Sequence, residues 1–244
     1  MMKPEVSFGT RTVAPEEKTR LVGEVFSSVA RRYDLMNDLM SAGLHRRWKD
    51  RFAGEVRARA GERILDLAGG TGDIAFRLAR TGARVTVADI NPDMLAVGRA
   101  RAERLGLGDI SFEIANAEAM PFAAESFDAV TIAFGIRNVT DMEAALRDIH
   151  RVLAWGGRFF CLEFSTTEWP AFARLYDLYS MRVVPRLGAL VARDAASYRY
   201  LVESIRRFPT MEAFARMIGA AGFGRVAARP ILGGAVAIHS GWKI

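Results

Sequence analysis

The chain has 244 residues, 50% of them apolar and 25% charged, with 34 Lys and Arg against 28 Asp and Glu for a formal charge of +6. That length suits one α/β domain able to bury its own core. The single Cys161 excludes an intramolecular disulfide and a thiolate metal cluster, and it fits a reducing, cytoplasmic setting.

No run reaches the roughly 18 apolar residues of a membrane span. The first 26 residues lack the apolar core of a signal peptide. Any membrane contact is therefore expected to be peripheral. In chain order, residues 18–59 read as broken helices that cap the domain. From Arg63 onward, short apolar runs alternate with helical patterns, the signature of a parallel sheet covered by helices. Strands are predicted at 64–68, 84–88, 110–114, 129–134 and 157–164, and helices near 72–80, 92–105 and 141–153. Pro92 suits a first helical turn with Asn91 as its cap. Residues 169–200 carry aromatics and arginines around Pro185 without a strand pattern. Helical spacing returns at 211–221, with Gly222 as its stop. Strands at 224–229 and 234–240 then form a hairpin that closes the sheet edge. The expectation is a single domain: a helical cap over 1–60, a donor-binding core over 61–165, a helical insertion over 166–210, and a closing helix and hairpin over 211–244.

The strongest chemical signal is Ile64-Leu65-Asp66-Leu67-Ala68-Gly69-Gly70-Thr71-Gly72-Asp73. A buried strand ends there in a glycine loop that opens a helix. Gly69, Gly70 and Gly72 let the backbone approach a ligand closely, at the carboxyl end of a strand where open α/β sheets bind them. Gly70-Thr71-Gly72-Asp73-Ile74-Ala75 also fits a dinucleotide pattern, so a nicotinamide or flavin enzyme is a rival. Two acids tilt the choice. Asp66 would repel a pyrophosphate but meet the ammonium of S-adenosylmethionine; alternatively it satisfies local N–H groups at the strand end. Asp89 ends the second strand, placed to accept both ribose hydroxyls; alternatively it is a helix-start acid. Asn116-Ala117 follows the third strand, where an amide can read an adenine edge.

Three longer motifs carry a resemblance. They are Val25 to Asp38, continuing through Ser41 and Gly43 to His45-Arg46-Arg47-Trp48-Lys49; Phe134-Gly135-Ile136-Arg137-Asn138-Val139; and Ser197-Tyr198-Arg199-Tyr200-Leu201-Val202-Glu203-Ser204-Ile205. With them the chain resembles the ubiquinone/menaquinone biosynthesis C-methyltransferases (the UbiE/MenG group) from Val25 to Ile244. The resemblance implies a class I S-adenosylmethionine-dependent methyltransferase (Rossmann-like) fold: a mostly parallel seven-stranded sheet with an antiparallel C-terminal hairpin strand and helices on both faces. It implies S-adenosylmethionine as donor and a lipid-tailed benzoquinol or naphthoquinol as acceptor. By motif, Thr71, Asp89, Asn116 and Ala117 would contact the donor. A further contact position is Ser in many relatives and Ala133 here. Trp155 stands where Leu153-Ala154-Trp155-Gly156-Gly157 usually carries proline, and the turn is expected to survive on its two glycines.

A quinol carbon becomes nucleophilic once a ring hydroxyl loses its proton, and an ordinary phenol has a pKa of about 10. Arg137 is the first choice to stabilise the developing phenolate; alternatively it is a structural ion-pair partner. Asn138 would orient the acceptor. Tyr33 would close over the site or relay a proton, unless it only packs the cap. For the base, a water beside Arg137 and Glu163 are the candidates, although Glu163 also reads as a loop anchor. His45, His150 and His239 lack metal-ligand spacing, so no metal is expected. Residues 169–193 would line a tail tunnel, lie on a membrane, or simply pack as an amphipathic helix.

The basic charge raises nucleic acid as a partner, but no Pro-Pro-aromatic motif follows the fourth strand and Cys161 lies inside a strand, so none is expected. A non-catalytic donor-binding subunit of a quinone-biosynthesis complex is the other rival. A homodimer is equally compatible with the sequence.

Overall fold

Successive side chains of a strand point to opposite faces, and here both faces are apolar, so the sheet has to be covered on both sides. The computed structural model describes residues 6–9, 11–30, 33–41, 43–165 and 195–244. In it, β3 (Arg63–Leu67), β4 (Arg84–Asp89), β5 (Ser111–Ile114), β6 (Phe127–Ala133) and β7 (Leu153–Phe164) run parallel. Ile64, Val85, Val87, Phe160 and Leu162 face one layer, made by α3 (His45–Val56), α4 (Asp73–Ala79) and α5 (Pro92–Arg104). Their neighbours Leu65, Leu67, Val130, Phe159 and Cys161 face the other, made by α6 (Met142–Val152) and α8 (Met211–Ala220).

The sheet order is β5-β4-β3-β6-β7-β9-β8, with the hairpin β8 (Gly224–Ile231) and β9 (Val236–Trp242) inserting β9 antiparallel beside β7. The chain winds outward from β3 to β5 and then returns to the far side of β3, so a crevice opens between β3 and β6 at the strand carboxyl ends. Caps fix the helix starts. Asn91 Oδ1 accepts from the N–H groups of Asp93 and Met94 with Pro92 following, and Asp141 and Thr210 cap α6 and α8 in the same way.

The N-terminal segment departs from a simple cap. A hairpin of β1 (Val6–Phe8) and β2 (Arg11–Val13) precedes α1 (Pro15–Val29) and α2 (Tyr33–Ser41). Their strands have three residues each, too short for periodicity to register. Phe52 and Val56 of α3 are fully buried against the sheet, so that helix belongs to the core. Val22 and Val29 of α1 pack on Tyr200 and Leu201 of α7 (Ala195–Arg207).

Two boundaries also differ. β7 starts at Leu153, directly from α6, and the ladder passes from Phe127↔Leu153 to Ala129↔Arg158, so the glycine turn expected there loops out as a bulge within the strand. The last turn falls at Leu232–Gly234, all with positive φ, which moves β9 two residues later than predicted. The expected tunnel or membrane segment, 169–193, lies outside the described residues. No described helix is long and apolar enough to cross a membrane.

Candidate active site

The crevice is built from strand ends. Ala68 and Phe134, the residues after β3 and β6, have φ of 50° and 56°, a strained turn for side-chain-bearing residues. The glycine loop fills the crevice floor. A Cβ at Gly69 would lie 2.8 Å from the Asp66 carbonyl oxygen and 2.9 Å from Val87, and Gly70 has φ +50°. Glycine is required at one position by space and at the next by conformation. Above the loop is a cleft that Gly69, Gly70 and Thr71 border. Gly72 adjoins the cleft as the left-handed cap of α4.

Asp89 faces this cleft from the end of β4. Its Oδ2 accepts from Gly70 N–H at 2.9 Å and its Oδ1 from Asn91 N–H at 2.9 Å. Burial pushes its carboxyl up to about 6, against the pull of those donors. Asn116 and Ala117 border the same cleft beyond β5, where Asn116 Oδ1 accepts from Glu118 N–H and shapes the turn. Ala133 and Asn138 form the wall on the β6 side, and Tyr33 overhangs from α2. Thr71 is held by Arg101, whose Nη1 donates to its Oγ1 at 3.0 Å.

Asp66 also borders the cleft. Thr131 O–H donates to Oδ1 at 2.9 Å and Ala75 N–H to Oδ2 at 3.1 Å, so the carboxylate ties β3 to β6 and α4 while lining the cleft. Desolvation pushes it up to about 7. A carboxyl raised by folding stabilises the fold fully below its unfolded value near 4 and loses that contribution as pH rises through 7. By linkage the loss is on the order of 4 kcal/mol. An Asp66→Asn variant, with its amide donating to Thr131, should show a shallower fall in melting temperature between pH 5 and 7 than wild type, the remaining slope coming from groups such as Asp89. Parallel pH slopes for variant and wild type in thermal melts would show that Asp66 does not titrate there.

The adjacent residues Arg137 and Asn138 part company in the 3-10 turn Ile136–Asn138. Asn138 faces the cleft, and Tyr200 O–H donates to its Oδ1 at 3.1 Å. Arg137 points behind the turn. Its Nη1 donates to both oxygens of Glu163 at 2.8 and 3.1 Å and to the Phe134 carbonyl, its Nε to Ser204 Oγ, and its guanidinium lies 5.5 Å from the Phe164 ring centre. It borders a separate cavity with Lys18, Tyr200 and Ser204. The guanidinium does not reach the cleft, so the geometry shows the ion-pair alternative for Arg137. Glu163 is fully buried in that pair, where burial pushes it up and Arg137 opposes. It is anchored rather than poised as a base.

Comparison with known proteins decides the family. The model of the ubiE/COQ5 methyltransferase family matches residues 11–243. The chain belongs to that family. At 60% identity over 98% of this chain and 99% of the relative, it is similar to the ubiquinone/menaquinone biosynthesis C-methyltransferase UbiE of Zymomonas mobilis subsp. mobilis. The protein of the same name from Bradyrhizobium sp. is 58% identical over 97% of this chain and 96% of its own. A crystal structure of a SAM dependent methyltransferase from Aquifex aeolicus shares the fold, with a TM-score of 0.60 at 12% identity over 95% of this chain and 100% of that one.

For this ubiE/COQ5 methyltransferase the donor is S-adenosylmethionine, and the cleft suits it. The close-set Gly69 and Gly70 leave room that a Cβ would fill, and Asp89 presents a carboxylate beside them. Ala133 brings no hydroxyl to a wall where many relatives carry Ser. Trp155, in place of the relatives' proline, is 66% exposed with the Lys243 ammonium 5.3 Å from its ring centre. It lies on β7 and is not among the cleft residues.

Among the cleft residues that escaped the sequence reading, Lys49 carries a charge. Lys49 is buried on α3 and borders the cleft, its Nζ donating to Asp73 Oδ2 at 2.7 Å. The signal was present in the spacing. His45, Trp48, Lys49, Phe52 and Val56 are the buried residues of α3, and a lysine inside such a stripe needs a partner in the interior.

Proposed function

We propose that this enzyme methylates a ring carbon of a polyprenylated quinol, demethylmenaquinol or a 2-methoxy-6-polyprenyl-1,4-benzoquinol, in quinone biosynthesis. The observation that carries the reading is the mixed lining of the cleft. Asp89, Asn116 and the glycine loop border it together with the apolar Val22 and Phe26 and the polar Tyr33 and Asn138. A flat aromatic acceptor suits the apolar part of that lining. S-adenosylmethionine supplies a methyl group already activated by its sulfonium. The protein's part is then alignment, which can lower a barrier by roughly 7–11 kcal/mol, and care of the acceptor's hydroxyl proton.

Asn138 orients the acceptor, because Tyr200 occupies its amide oxygen and turns its amide N–H groups outward. Such a donor stabilises a developing phenolate as an oxyanion-hole amide does. Tyr33 closes over the ring and passes the hydroxyl proton to solvent at the cleft mouth; after methyl transfer the ring carbon loses its own proton to solvent and the quinol is restored. Arg137, through Glu163, fixes the turn that carries Asn138 and is a positioning residue. A lipid-tailed acceptor and a charge of +6 favour a peripheral place on an anionic membrane surface.

The test is methyl transfer by the purified protein, with labelled S-adenosylmethionine and each reduced quinol in turn. Label on a ring carbon of either product is expected. Donor binding without product from both quinols would sink the proposal in favour of a non-catalytic subunit.

A further inference from the structure

We propose that Tyr200, clamped by Phe8 of the N-terminal hairpin, is a positioning residue that sets which end of the Asn138 amide meets the acceptor; this rests on Asn138 orienting the acceptor, as proposed above. The motif Ser197 to Ile205 lies on α7, yet none of its described residues is among those bordering the cleft. Helical spacing puts residues four apart on one face, and Tyr200 and Ser204 share a face turned to the Ile136–Asn138 turn. Tyr200 O–H donates to Asn138 Oδ1 at 3.1 Å, and Ser204 Oγ accepts from Arg137 Nε at 3.3 Å. One stretch of helix thus meets both polar residues of the turn.

The oxygen and NH2 ends of an amide have almost the same shape, so packing alone hardly tells them apart. Tyr200 does tell them apart. It is 4% exposed, and burial pushes its hydroxyl up to about 12, so the proton stays on. A buried O–H needs an acceptor, and the structure gives it the Asn138 amide oxygen. The NH2 end is left for the cleft, where it meets no acceptor among the described residues. The backbone beside it is held separately. Lys18 Nζ donates to the Val139 carbonyl at 2.8 Å, and Thr140 N–H donates to Glu118 Oε1 at 2.9 Å. The side-chain orientation is therefore the freedom left for Tyr200 to remove. Its ring is fixed in turn by Phe8 of β1, which stacks on it with 4.3 Å between ring centres and 17° between planes. The hairpin acts on the acceptor through Tyr200 and Asn138 without lining the cleft.

The test compares Tyr200→Phe, Asn138→Ala and the double variant with wild type. Tyr200→Phe removes the hydroxyl and keeps the ring on which Phe8 stacks, so the fold is preserved. Affinity for S-adenosylhomocysteine should stay at the wild-type value. For the quinol, kcat and kcat/KM should fall together by about 5- to 10-fold, the range of one neutral hydrogen bond. In the Asn138→Ala background the same substitution should have no further effect, because its path to the acceptor is gone. Phe8→Ala should repeat the loss, and Phe8→Tyr, which keeps a ring to stack, should retain wild-type turnover. In heteronuclear NMR spectra, the side-chain amide signal that Asn138→Ala deletes should move in Tyr200→Phe. Losses that multiply in the double variant, or wild-type turnover in Tyr200→Phe, would overturn the positioning role. An Asn138 amide signal that Tyr200→Phe leaves in place would overturn it as well. That spectrum needs no acceptor, so it decides the role of Tyr200 even if wild type methylates neither quinol and the proposed substrate fails. Wild-type turnover in Asn138→Ala would overturn the acceptor role of Asn138 and that of Tyr200 with it.

Discussion

Glu163→Ala should lower stability by about 3–5 kcal/mol in urea unfolding, the range for breaking one side of a buried ion pair. Its partner Arg137 is 4% exposed in its side chain and Glu163 is not exposed at all. Removing the carboxylate leaves a guanidinium that cannot shed its proton, still touched by the Phe134 carbonyl, Ser204 and the Phe164 ring but without an anion among these. Arg137→Ala should cost less. The stranded Glu163, already pushed up by burial, can take a proton and become neutral. The double variant Arg137→Met/Glu163→Leu should recover much of the loss, because a buried pair replaced by apolar groups is often neutral.

The same variants separate position from chemistry. Arg137→Ala should leave donor affinity near wild type, since its guanidinium lies behind the cleft, and should still remove most turnover by releasing the turn that carries Asn138. Unchanged turnover in Arg137→Ala would remove it from the mechanism. A Glu163→Ala protein as stable as wild type would mean that the pair does not hold the turn.

The strands and the glycine loop were legible in the sequence because two simple rules govern them. A strand buried on both faces is an unbroken apolar run, as in Ile64-Leu65 or Phe159 to Leu162, and a ligand-hugging loop needs glycine. The family motifs told which residues matter without telling what each touches. Arg137 and Asn138 are neighbours in one motif, yet the turn sends one to an ion pair with Glu163, 26 positions on, and the other to the cleft. No local pattern encodes a partner so distant. Lys49 shows the converse case, since its helical spacing was visible while its Asp73 partner, 24 residues away, was not. The bulge in β7 escaped because Ala154-Trp155-Gly156-Gly157 reads equally as a free turn or as a loop within a strand.

Asp89→Ala should weaken donor binding by two orders of magnitude or more. Two charge-assisted hydrogen bonds to the ribose hydroxyls contribute roughly 1.5–3 kcal/mol each. Asp89 also accepts from Gly70 and Asn91, so the alanine variant loosens the glycine loop as well. Asp89→Asn is the cleaner probe, since it keeps one acceptor oxygen and removes the charge. The pH dependence follows from the same carboxyl, which burial pushes up to about 6 in the free protein. Only the ionised form accepts both hydroxyls, so protonation competes with the donor. Affinity should be constant above pH 7 and fall below pH 6 by close to tenfold for each further unit, while Asp89→Asn binds weakly and without that slope. Calorimetric titrations between pH 5 and 8 read both effects. A wild-type profile that stays flat to pH 5 would remove the ribose from Asp89 and leave it as the anchor of the Gly70 and Asn91 amides alone.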